Sequence, residues 1–340
     1  MRKLLIILVI LAAFQSCKKE TALEVTDTQL SHNNDVLTNG SWRRLADYPG
    51  SRYHNSGFSI GDKGYMGLGY FREPLSGFME YDPASNTWSQ IADFGGGKRS
   101  DAAGFTINGK GYIFGGRNEL GEDHSLSDLW EYDPIANQWT KKADMPGKGR
   151  NHPFGFSVGS YGYAGGGIVI DTIVVNNCIT YKLYFSNDVY QYDPASNTWC
   201  KKSAFPGEAR AESVEFSIGN KGYLGTGEAF GVLKNDFWEY DPATDKWTRK
   251  ADVPGNPRSE ATGFSISSLN RGYIGFGVGS GNENVFFEYN PEVDEWTEKA
   301  KPNIVGSFRQ AVGFSIGKKG YVGPGGAGDE TQFWEFDPLH

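Results

Sequence analysis

The sequence predicts an all-β fold, a closed propeller of six four-stranded blades, and three observations predict it. Six tryptophans, Trp42, Trp88, Trp139, Trp199, Trp247 and Trp296, recur 46, 51, 60, 48 and 49 residues apart, a period that belongs to propellers and repeat arrays. Between them the same phrases return in one order: a Gly-Phe-Ser-Ile run, a Gly-Tyr run ending in glycines, then Tyr-Asp-Pro. The 340 residues include 46 glycines and few runs at helical spacing, which suits one all-β domain behind a short leader.

The first strand of each blade is read from Gly57-Phe58-Ser59-Ile60, Gly104-Phe105-Thr106-Ile107, Gly155-Phe156-Ser157-Val158, Glu215-Phe216-Ser217-Ile218, Gly263-Phe264-Ser265-Ile266 and Gly313-Phe314-Ser315-Ile316. Short stretches such as Asn108-Gly109-Lys110 lead to the second strand, beginning at Gly64-Tyr65 in the first copy and Gly320-Tyr321 in the last; they suit tight hairpin turns. The third strand ends at Tyr81-Asp82-Pro83, Tyr132-Asp133-Pro134, Tyr192-Asp193-Pro194, Tyr240-Asp241-Pro242, Tyr289-Asn290-Pro291 and Phe336-Asp337-Pro338. Asp/Asn-Pro starts a turn there into the tryptophan strand. The chain opens with a fourth strand at Trp42 and ends with a third strand at Phe333-Trp334-Glu335-Phe336. The last blade is therefore expected to take its outer strand from the N-terminal side, which leaves no free sheet edge. All nine tryptophans find a place in this scheme, so large rings are read as filling between sheets rather than as a ligand platform.

These landmarks, with the glycine pairs Gly115-Gly116, Gly166-Gly167 and Gly325-Gly326, resemble the kelch family of β-propellers over about 300 residues from Trp42 onward. The resemblance implies that the loops joining strand d to strand a and strand b to strand c emerge around one end of the central channel, where ligands meet the protein.

Residues 1–16 read as a signal peptide: Met1-Arg2-Lys3 is basic and Leu4 to Ala13 is apolar, too short a run to cross a bilayer. Cys17 follows at once, which resembles the lipobox of bacterial lipoproteins; the alternative is an ordinary leader with an incidental cysteine. The expected organisation is a leader over 1–16, a lipid-anchored polar tether over 17–40 and a propeller over 41–340, displayed on a bacterial cell envelope, at the outer membrane. Cys178, in a long insertion of the third repeat, and Cys200 remain as an exported pair, either bonded or two free thiols.

The net charge of −8 argues against a nucleic-acid surface. Five arginines, Arg52, Arg99, Arg150, Arg210 and Arg258, stand five residues before their Gly-Phe-Ser-Ile landmarks, and Arg309 is displaced by one. Guanidinium groups suit bidentate carboxylate or phosphate binding, so the ring is either an anion-binding mouth or a set of struts bonded within the blades. Two residues beyond lies a mixed ring, His54, Asp101, His152, Glu212 and Glu260, and past the strand-b glycines the charged Arg117 and Glu228 break the symmetry. No cofactor or metal is expected, with His54 and His152 read as solvated loop histidines of non-adjacent blades. The segment Gly227-Glu228-Ala229-Phe230-Gly231-Val232-Leu233-Lys234 is similar to a fourth-blade loop of the bacterial N-acetylneuraminate epimerases. That resemblance implies Glu228 as a base and Lys234 in place of a substrate-binding arginine. The main expectation is a monomeric, membrane-tethered module that binds a protein or glycan through its arginine-lined face, which suits an anionic ligand. The alternative is a mutarotase acting on an acidic sugar.

Overall fold

A computed structural model of the chain describes residues 37–118, 124–175, 178–279, 284–304, 308–326 and 331–340. The leader, Cys17 and the tether up to residue 36 lie outside the described residues.

Six antiparallel sheets of four strands form the ring. In the first blade strands a to d are Ser56–Ile60, Lys63–Gly67, Phe78–Asp82 and Thr87–Gln90, paired in that order. The next four repeat the pattern, starting at Ala103–Ile107, Phe154–Val158, Val214–Ile218 and Thr262–Ile266. The sixth combines Gly313–Ile316, Lys319–Val322 and Trp334–Asp337 with Ser41–Arg44, in the register Ser41↔Asp337 to Arg44↔Trp334. Closure is therefore as the sequence predicts: the strand around Trp42 completes the last sheet.

The tryptophans explain why consecutive blades lock at one spacing. Each indole N–H of strand d donates to a carbonyl just past strand d of the preceding blade: Trp88 to Ala46 (3.1 Å), Trp139 to Ala92 (3.1 Å), Trp199 to Ala143 (2.8 Å), Trp247 to Ser203 (3.2 Å) and Trp296 to Ala251 (2.9 Å). Trp42 donates to Ala300 at 2.8 Å, so the closing blade obeys the same rule. The rings pack between sheets while the N–H keeps a partner, as a partly buried indole requires.

Toward the axis, strands a of neighbouring blades come so close that side chains do not fit. A Cβ on Gly104 would lie 2.5 Å from the Gly57 carbonyl oxygen. Glycine at this place in five of the six copies is thus a packing requirement, and Glu215 in the fourth is the exception.

The long insertion of the third repeat forms a hairpin of two eight-residue strands, Ile168–Val175 and Cys178–Phe185. At about 3.3 Å per residue the far end of these strands lies some 25 Å from their base. Cys178 sits at that far end, paired with Val175, exposed and with a free thiol. Of the two readings left open for this pair, the Cys178–Cys200 bond is not formed: Cys200 lies in the outer strand Thr198–Lys202 of the blade itself.

Candidate functional site

The loop arginines are built into the blades. Arg99, Arg150, Arg210 and Arg258 are 1 to 4% exposed. Arg99 binds Asp128 through two nitrogens (2.7 and 2.9 Å) and the carbonyls of Gly115 and Gly96, and its guanidinium lies over the Phe94 ring. Arg150 and Arg210 repeat this with Asp188 and Asp236. Arg52 donates to the carbonyls of Leu68 and Gly77, and Arg258 to those of Asn256 and Phe276. The arginine-lined, anion-binding face is thus corrected: these guanidiniums are turned into the protein, their terminal nitrogens pinning five d–a loops to the end of strand b and, in three blades, to the start of strand c.

What those pinned loops hold toward the channel is the ring two residues on. His54, Asp101, His152, Glu212, Glu260 and Gln310 occupy equivalent positions, one per blade, all in the left-handed region with φ between 49° and 60°. For a residue with a Cβ this conformation costs on the order of 1 kcal/mol or more. Backbone bonds link neighbours around the mouth: Asp101 N–H to the His54 carbonyl (3.3 Å), His152 to Asp101 (3.0 Å) and Gln310 to Glu260 (3.0 Å). All six side chains line one cavity of about 200 Å³ at the end of the channel.

The ring has two chemically different sides. On one, Asp101 is wholly buried between two imidazoles: His54 Nδ1 lies against its Oδ1, and His152 Nε2 is 3.3 Å from the same oxygen. Its other oxygen takes the Ser100 hydroxyl at 2.8 Å and meets Arg117 Nε at 2.6 Å. Burial alone would raise the Asp101 pKa, but the imidazoles and Arg117 outweigh it and hold the group well below the usual carboxylate range. Burial pushes His152 down to about 4, so it is neutral at pH 7. The histidines do come from non-adjacent blades, but they are not solvated as expected: their ring centroids are 5.3 Å apart and both are mostly enclosed.

On the other side stand Glu212 and Glu260. Burial, then the charge of Glu260, pushes Glu212 up to about 7, and burial also raises Glu260. Arg309 Nε approaches Glu260 at 4.0 Å. Below them Glu215 projects from the strand wall and accepts the Gly155 N–H at 3.3 Å. Burial pushes its pKa up to about 8, so it stays largely protonated at pH 7. The cavity therefore brings together carboxyls of opposite protonation and a neutral imidazole, the equipment of general acid–base chemistry.

Sequence reasoning found His54 and His152 and placed Arg117 near them. It passed over two signals. Counting three residues back from each Gly-Phe-Ser-Ile landmark reaches Gln310, which the displaced Arg309 conceals, and the lone non-glycine in that landmark's first position is Glu215. Glu228 and Lys234 do not line the cavity. Glu228 accepts the Gly231 N–H at 2.9 Å in its own small hairpin, and Lys234 pairs with Glu208.

Comparisons with known proteins agree with this architecture. The family model for the Kelch motif matches residues 98–146. The chain is 29% identical over 198 residues to the N-acetylneuraminate epimerase of Pasteurella multocida (strain Pm70), covering 48% of this chain and 50% of that protein. It is 27% identical over 206 residues to that of Haemophilus influenzae (strain PittEE), covering 54% and 55%. The match to the enzyme of Yersinia enterocolitica (serotype O:8 / biotype 1B) is 30% over 183 residues, 46% of each chain. The chain thus spans about half the length of the curated relatives it matches. A solved structure described as "Structure of YjhT" shares the fold at a TM-score of 0.69 and 17% identity, covering 86% of this chain and 95% of that one.

Proposed function

We propose that the channel-mouth cavity is a sugar site and that the protein interconverts the anomers of an acidic sugar of the N-acetylneuraminate type. One observation carries the reading: six equivalent, conformationally costly positions deliver two imidazoles, three carboxyls and an amide into a single cavity. Relatives described as N-acetylneuraminate epimerases supply the substrate class.

Anomer interconversion needs a base to take the proton from the anomeric hydroxyl and an acid to protonate the ring oxygen as the ring opens; the roles reverse on closure. Glu212 and Glu260 are the groups we assign to these transfers, with Glu215 as a neutral donor at the cavity floor. Glu228 is left outside the chemistry, since it does not line the cavity. The substrate carboxylate would meet Arg117 and Arg309, whose side chains are 29% and 36% exposed, unlike the buried strut arginines.

The test is the rate at which a freshly dissolved single anomer of N-acetylneuraminate re-equilibrates, followed by NMR. Wild-type protein should accelerate it, and Glu212→Gln should slow it by ~100-fold or more while sparing binding, because the amide keeps the shape but carries no exchangeable acid proton. A wild-type rate no faster than the spontaneous one removes the enzyme reading. The module would then be a binding protein, for which the exposed apolar hairpin residues Val174, Ile179, Tyr181 and Leu183, with Phe230 beside them, offer a surface. We further propose that Cys17 carries a lipid that holds the propeller on the envelope; Cys17→Ala should move the protein from the detergent phase to the aqueous phase.

A further inference from the structure

We propose that His54, Asp101 and His152 form a binding site for one divalent transition-metal ion of the zinc class. Nδ1 of His54, Oδ1 of Asp101 and Nε2 of His152 all lie within 4.8 Å of one another. A tetrahedral ion with bonds of about 2.0–2.1 Å holds its ligand atoms roughly 3.3 Å apart, which is the distance between His152 Nε2 and Asp101 Oδ1.

The second observation is independent of that spacing. The Asp101 side chain has no exposed surface, yet its Oδ1 has no hydrogen-bond partner. His54 Nδ1 lies against that oxygen without an aligned N–H. A buried carboxylate oxygen left in that state is costly unless a cation shares it.

The surrounding groups complete a metal centre's usual construction. Oδ2 of Asp101 is fixed by the Ser100 hydroxyl and by Arg117, which leaves Oδ1 as the oxygen turned to the imidazoles and orients the carboxylate. The three ligands sit on successive backbone rungs, Asp101 bonded to His54 and His152 to Asp101, and each is held by a loop with an arginine strut. Two imidazoles and a carboxylate favour zinc and its first-row neighbours over magnesium or calcium, which prefer oxygen ligands. The fourth position opens on the cavity, where Glu212 Oε1 lies 3.9 Å from His152 Nε2. A water or ligand oxygen bound there would be polarised beside that carboxyl. This inference does not depend on the sugar reading.

The experiment uses the full chain carrying Cys178→Ser, which removes the exposed thiol as a competing ligand. After dialysis against EDTA and removal of the chelator, Zn²⁺ is titrated by calorimetry and Co²⁺ by its visible absorption. One equivalent per chain should bind, with the intense bands of a tetrahedral cobalt site. His54→Ala and His152→Ala should each weaken binding by ~100-fold or more, and Ser100→Ala by about 10-fold through the orienting bond. Circular dichroism confirms that each variant is folded, and His124→Ala, outside the cluster, should bind as wild type does. Absence of stoichiometric binding, or binding untouched in the folded His54 and His152 variants, overturns the proposal. Anomer interconversion measured in EDTA reads the sugar site separately, so either idea can fail alone.

Discussion

Glu215 makes stability fall with rising pH in a way that one isosteric change should remove. Its carboxyl is pushed from the ordinary 4.5 up to about 8 by burial in the channel wall, against the opposing hydrogen bond from Gly155. Between those two values the folded chain keeps a proton that the unfolded chain has released. The folded state then binds more protons, so stability declines as pH rises through that window. Below about 4.5 both states are protonated and the group is neutral in the balance. The shift of roughly 3.5 units, 8 less 4.5, corresponds at about 1.4 kcal/mol per unit to a ceiling of ~5 kcal/mol. By surface area the residue is only half-buried, which lowers the expected loss to about 2–4 kcal/mol. For a domain of about 300 residues the unfolding entropy is near 0.6 kcal/mol/K, so the loss should appear as ~3–7 °C in Tm. Glu215→Gln is neutral at every pH and its amide oxygen can still accept the Gly155 N–H. Scanning calorimetry from pH 5 to pH 9 on both proteins gives the Tm difference, in which the titrations of Glu212, Glu260 and His152 largely cancel. That difference should shift against wild type by the stated amount across the window. Parallel curves would refute the assignment of a buried, protonated carboxyl.

Two further perturbations test the frame that holds the site. Removing residues 1–46 deletes Ser41–Arg44 and the Trp42 ring, which packs 5.0 Å from both Phe286 and Phe336; it should give a destabilised, aggregation-prone protein, whereas removing residues 1–35 should leave Tm within a degree or two. Equal midpoints for the two truncations would contradict closure through that strand. Arg99→Ala leaves Asp128 without its bidentate partner and should cost ~3–5 kcal/mol in urea unfolding, the signature of a strut. A stable Arg99→Ala protein with weakened anion binding would restore the ligand-face reading.

The fold was legible because its rules are local and repeated. Trp88, Trp139 and their equivalents each report a hydrogen bond to the previous blade, and Tyr-Asp-Pro reports the turn, so six copies fix six sheets. The site was harder because its meaning lies in contacts across the ring. Nothing in the local sequence tells that Arg99 turns inward: its partner Asp128 is 29 residues away, just before strand c, and the pair is seen only when strands b and c are side by side. Nor does spacing show that His54 and His152, two blades apart, meet over Asp101. A channel narrow enough for that contact follows from the axial glycines, whose packing role requires the neighbouring strand to be in place.

The ring of left-handed residues ties these strands of argument together. Glycine or asparagine would relieve the backbone at all six positions, yet the chain uses His, Asp, His, Glu, Glu and Gln there. The first three blades supply a carboxylate clasped by imidazoles, and the next two supply carboxyls whose pKa is raised, so the two halves of one cavity hold their protons differently at the same pH. A symmetric frame cannot produce that difference; only the side chains that break the repeat can. Replacing His152 by Asn, which tolerates the same φ, should keep the fold and slightly raise its stability while removing one imidazole from the cavity. If that variant proved as unstable as an Arg99 variant, the imidazole would be part of the frame, and the case for a site at the channel mouth would lose its main physical support.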